Sequence, residues 1–75
     1  MKTIQELFPG IQVYDEVDVK VVNPFTGEGC MLTPEEVAVY DYLKGCELMQ
    51  DHTGLRKALD WFIDNNADAY MTLLD

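Results

Sequence analysis

Asn23-Pro-Phe-Thr-Gly-Glu28 and, a few residues on, Thr33-Pro-Glu-Glu36 decide the fold of this 75-residue chain. The first stretch reads as a turn. Asn23-Pro24 and Thr26-Gly27 are turn pairs, and Gly27 supplies the positive φ that a tight reversal often needs. The second reads as a helix start. Thr33 can accept a hydrogen bond as N-cap, Pro34 sits at the first helical position where no donor is required, and Glu36 closes a capping box. Glu35 and Glu36 both favour the positive end of that helix. Together the two stretches predict a strand, a reversal, a short strand and then a helix.

Upstream of the turn, Ile11, Val13, Val17, Val19 and Val21 alternate with Gln12, Tyr14, Glu16, Asp18 and Lys20. This period of two predicts a strand over 11–21 with one buried and one wet face. Asp15 breaks the pattern, as a bulge or a gap between two short strands would. The second strand is expected from about Glu28 to Leu32. A lone hairpin is not stable in water, so helices must cover it or another chain must extend it. At the start of the chain, Thr3-Ile-Gln-Glu6 is a second capping box. It predicts one helical turn stopped by Pro9-Gly10, with Ile4, Leu7 and Phe8 folded onto the core as a lid.

Downstream, the helix opened by Thr33 is expected to reach about Met49. At 100° per residue it carries two apolar stripes. The wide one, Ala38, Val39, Tyr42, Leu43, Cys46 and Met49, should face the core. The thin one, Val37 and Leu48 beside Asp41 and Lys44, either meets the lid or stays exposed. A loop over 50–54 should follow, with Asp51 or Thr53 as the next N-cap. The next helix should begin near Leu55, with Leu55, Ala58, Leu59, Phe62 and Ile63 on one face and Trp61 at its edge. Asn65-Asn66 predicts a break, after which Asp64 or Asn66 caps a short last helix carrying Ala69, Tyr70, Met71, Leu73 and Leu74.

Size and charge narrow the role. Seventy-five residues make one domain, read as a lid (1–10), a hairpin (11–32) and a helical part (33–75). A chain of this size buries only about 60 to 65% of its unfolded surface, so a staple, a metal or a partner subunit is expected. The apolar content of 48% excludes disorder. The formal charge of −9 opposes direct contact with nucleic acid or anionic membrane and would suit a basic partner. Met1-Lys2-Thr3-Ile4 does not open a signal peptide, and no stretch approaches the roughly 20 apolar residues of a membrane span. The expected setting is the cytoplasm, with Cys30 and Cys46 as thiols. A disulfide between them is the alternative.

The residue patterns do not assemble a chemistry. His52, the one histidine, is expected in an exposed loop without a nucleophilic cysteine beside it. Three Cys and His residues fall short of the four that a structural zinc site needs. Asp64-x-Asn66-x-Asp68 opens like a calcium loop, but Ala69 stands where glycine is demanded, and Asp75 where a bidentate glutamate belongs. A cap cluster is the simpler reading. Asp15, Glu16 and Asp18 read as a charged edge that discourages aggregation. Gly27-x-Gly29 is too short for a phosphate loop. No metal and no cofactor are expected. Among the aromatics, Tyr14, Phe25, Tyr40 and Trp61 are the ones that geometry leaves partly exposed, and Tyr and Trp commonly anchor interfaces.

Asn23 to Glu28, Leu32-Thr-Pro-Glu-Glu-Val-Ala-Val-Tyr-Asp-Tyr-Leu-Lys-Gly45, Lys57-Ala-Leu-Asp-Trp-Phe62 and Tyr70-Met-Thr-Leu-Leu-Asp75 stand in an order that resembles small, acidic, uncharacterised proteins of marine bacteriophages and ocean sequence collections. The resemblance spans 23–75. It implies a phage or marine microbial setting, hence the host cytoplasm, and no activity.

The sequence therefore predicts an α+β fold, a hairpin packed under two main helices with a short helical extension. The expected role is a non-catalytic interaction module rather than an enzyme, self-associating as a homodimer or binding another protein through Val37, Tyr40, Leu48 and Trp61. The alternative is an acidic decoy, which would bind a basic, nucleic-acid-handling host protein by presenting carboxylates at phosphate-like spacing.

Overall fold

The computed structural model describes residues 3–74, so the parts of the sequence reading that fall on Met1, Lys2 and Asp75 lie outside the described residues. In chain order the elements are α1 (Ile4–Leu7), β1 (Val19–Val22), β2 (Gly29–Leu32), α2 (Pro34–Met49), α3 (His52–Asn65) and α4 (Ala67–Ala69). The last widens into a π-helical turn over Tyr70–Leu74. The fold is α+β: an antiparallel hairpin on the N-terminal side, covered by helices.

The turn closes as its residues dictate. Asn23 N–H donates to the Glu28 carbonyl at 2.7 Å, and Gly27 N–H donates to the Asn23 carbonyl at 2.8 Å. Asn23 Oδ1 accepts from Phe25 N–H at 2.9 Å, the local bond that makes asparagine a turn former. Gly27 adopts φ +77°, a value costly for any residue with a Cβ. The register pairs Val19 with Leu32, Lys20 with Met31, Val21 with Cys30 and Val22 with Gly29.

The first strand is shorter than its alternation predicts. Residues 11–18 form no strand, and Val13, Tyr14 and Val17 are exposed. The cause is the partner. β2 is four residues long because Thr33 ends it by capping α2, so it can satisfy only four residues of β1. Without a third strand, residues 11–18 have no ladder to join.

Helix α2 starts as expected. Thr33 Oγ1 accepts from Glu36 N–H at 3.3 Å, and Thr33 N–H donates to Glu36 Oε1 at 2.8 Å. The connection to α3 is tighter than a loop over 50–54. Gln50 takes the left-handed conformation at φ 57°, and Asp51 caps α3 by accepting from Gly54 N–H at 3.0 Å. Thus α3 begins at His52, three residues before Leu55. A Cβ on Gly54 would lie 2.8 Å from Cys46 Sγ and 2.9 Å from the Tyr42 hydroxyl. Glycine there lets the first turn of α3 press directly on α2.

The core gathers Ile4, Phe8, Leu32, Val39, Leu43, Ala58, Phe62, Ala69 and Leu73 from every layer. The lid is real. Phe8 is buried, its ring 5.0 Å from that of Tyr42, with the Lys57 ammonium 5.3 Å above it. The hairpin is tied to the far end of the chain through Asn23, the one buried polar side chain among the described residues. Its Nδ2 donates to the Thr72 carbonyl at 3.2 Å.

Two glycines separate packing from propensity. Gly54→Ala is expected to lower stability by about 1–2 kcal/mol, the overpacking penalty less alanine's helix gain. Gly45→Ala, where a Cβ meets nothing within 4 Å, should raise it by roughly 1 kcal/mol or less. Urea unfolding reads both, and an equal gain at both sites would contradict the close α2–α3 contact.

Candidate interaction surface

The four residues singled out from the sequence do not share one open surface. Val37 is buried in the core, which corrects its assignment as a contact residue. Residues 10–15 cross the helix there, and Val37 and Ala38 line a cleft with Ile11. Tyr40 and Trp61 are half-buried against the core. Lys44 Nζ sits 5.4 Å from the centre of the Tyr40 ring, and the Trp61 ring stands edge-on to Phe62 at 5.2 Å. Leu48 alone is open, at 87%. Met49, expected in the core, is also exposed. Because α3 crosses at Tyr42 and Cys46, the last turn of α2 overhangs the contact.

A better-defined apolar surface lies on the hairpin. Alternation sends Val19, Val21, Cys30 and Leu32 toward the helices and Lys20, Val22, Gly29 and Met31 outward. Val22 is 46% exposed, Met31 56% and Phe25, at the turn, 93%. Among the described residues the sheet has two strands. Its main contacts to α2 and to the C-terminal turn are made by β2, which leaves β1 as the outer strand. The helical pattern of 33–49 carries no signal for Val22 or Met31. The signal for them was the register itself: with Val21 inward, Val22 must point out.

The remaining groups do not build a reaction centre. Cys30 is a half-buried free thiol and Cys46 a buried one. His52 is exposed, as expected, but as the first residue of α3 rather than in a loop. Asn66 Oδ1 accepts from Ala69 N–H at 3.1 Å, which commits it to capping rather than to a calcium loop. Among the described residues, no three His, Cys, Asp or Glu side chains gather where a metal ion could be held. No helix among them is long and apolar enough to cross a membrane. Acids are exposed on α1, α2, α3 and α4, on the hairpin turn and over 15–18. Comparison with protein-family models, with curated proteins and with solved structures gives no match.

Two groups carry a pH dependence. Burial, and then the Glu36 carboxylate, pushes the Cys30 thiol above its ordinary range. Burial also raises the Tyr42 hydroxyl, helped by the neighbouring Cys46 and Asp51 side chains. In both cases folding favours the neutral form. The unfolded chain releases these protons first, so the stability they support is intact below the ordinary thiol and phenol values of about 8.5 and 10. It is lost as pH climbs through the raised folded values. Urea midpoints are expected to fall steadily above about pH 9. Cys30→Ala with Tyr42→Phe should flatten that fall, and an unchanged slope in the double variant would contradict the assignment.

Proposed function

We propose that this chain is a non-catalytic interaction module that self-associates through the outer face and free edge of its hairpin. The observation that carries the reading is the hairpin itself. It is covered by helices on one face and presents Val22, Met31 and Phe25 to solvent on the other. A two-stranded sheet leaves unpaired backbone groups along its outer strand, a ready template for another strand. By the alternation of an antiparallel ladder, Lys20 and Val22 hold the outward N–H and C=O groups of β1. A second copy pairing antiparallel along β1 would extend the sheet to four strands and bring both sets of Val22 and Met31 onto one continuous face. Lys20 is the base nearest this edge, and its charge would limit pairing without forbidding it.

The decoy reading has less support. It needs carboxylates concentrated on one face, and the exposed acids sit on every helix as well as on the turn. A cytoplasmic, phage-derived setting remains part of the proposal, resting on the resemblance of 23–75 alone.

Light scattering at two protein concentrations and two salt concentrations tests the proposal. A dimer that persists or tightens at high salt is expected, because screening relieves the repulsion between two chains of charge −9. Met31→Lys should give a folded monomer, whereas Leu48→Ala should leave the dimer intact. A wild-type monomer at high concentration, or a dimer broken by Leu48→Ala and not by Met31→Lys, would overturn it.

A further inference from the structure

The cleft between residues 10–15 and α2 has a chemistry that the interaction reading does not use. Its volume is about 350 Å³, within the range of small-molecule sites. The buried side chains of Val37 and Ala38 form an apolar floor. Tyr14 and Tyr42 line it too, so aromatic surface borders the floor. At the lip, the exposed Tyr14 hydroxyl donates to Gln12 Oε1 at 2.6 Å. The opposite ring, that of Tyr42, is held by its packing on Phe8.

Two carboxylates, Asp15 on the crossing segment and Asp41 on α2, flank this floor. The ion pairs among the described residues are Lys44–Glu47 and Arg56–Asp60, so neither aspartate is paired within them. Among the described residues no lysine or arginine lines the cleft. Apolar floor, aromatic rings and two carboxylates without an ion pair among the described residues together select one ligand class. A cation is attracted by the carboxylates and by ring faces, and an aliphatic stem is what the Val37–Ala38 floor can desolvate. A hydrated divalent metal uses only the carboxylates, and an anion none of these features.

We propose that the cleft binds a small aliphatic primary amine in its ammonium form. Its methylene chain lies on Val37 and Ala38, and its ammonium group lies between Asp15 and Asp41. The site shares none of the hairpin's outward side chains, so it stands or falls separately from self-association.

The test is a titration of the intact chain with pentylammonium chloride, followed by amide chemical shifts and calorimetry. Saturable binding is expected, with shifts confined to 10–15 and 37–42. The neutral 1,5-pentanediol should give none. Asp15→Asn with Asp41→Asn should weaken binding by at least about tenfold, the loss expected when a charge-assisted contact disappears. Glu28→Gln with Asp64→Asn removes the same charge elsewhere on the exposed surface and should change affinity by no more than about twofold, since distant charges are screened. Three results would overturn the proposal: no saturation, the same shifts from magnesium chloride, or equal weakening by both double variants.

Discussion

One carboxylate holds the start of the helical part to its end. Glu36 Oε1 accepts from Thr33 N–H at 2.8 Å, and Glu36 Oε2 accepts from Asn66 Nδ2 at 3.0 Å. Asn66 in turn caps α4 through its Oδ1, and its own N–H donates to the Phe62 carbonyl at 2.8 Å at the end of α3. A single side-chain contact, thirty residues apart in sequence, thus joins the first turn of α2, the last turn of α3 and the first turn of α4. The part-buried bond from Asn66 to the charged oxygen is worth about 1.5–3 kcal/mol. That is a large share of the stability that a chain of this size commands. The hairpin depends on the same joint at one remove. Asn23 hangs it on the Thr72 carbonyl, and Thr72 is positioned by the helix that Asn66 starts.

Local signals were legible in the sequence wherever one residue type has one physical use. Thr33, Pro34 and Glu36 announced α2 to its first residue, Gly27 announced the turn, and Thr3 announced α1. Asn66 was readable as a cap, but its amide bond to Glu36 was not, because nothing local encodes a partner thirty residues away. The strand over 11–18 failed for the same kind of reason. Alternation states that a segment could be half-buried in a sheet; whether a partner strand exists is decided elsewhere, here by the length of β2. The α2–α3 connection was hidden because Gln50 adopts a left-handed conformation normally left to glycine or asparagine.

The surface was the least legible part. Val37 and Leu48 lie on the same side of α2, and helical geometry could not tell that the first is buried and the second exposed. The outer hairpin face is open as well, with apolar side chains from both strands and a free edge. Small domains bury too little surface to be generous with exposed Val, Met and Phe, and this is the physical basis for proposing a partner on that face.

A double-mutant cycle on Glu36 and Asn66 tests the central joint most directly. Asn66→Asp keeps an excellent N-cap but sets a second carboxylate against Glu36. Glu36→Gln keeps a capping-box residue and supplies an amide donor in place of the lost acceptor. The account predicts that Asn66→Asp is destabilising by about 2 kcal/mol or more when Glu36 is intact. In the Glu36→Gln background, where donor and acceptor are exchanged across the same gap, most of that loss should return. Equal costs of Asn66→Asp in both backgrounds, measured by urea unfolding at neutral pH, would show that the two caps act separately and would contradict the account.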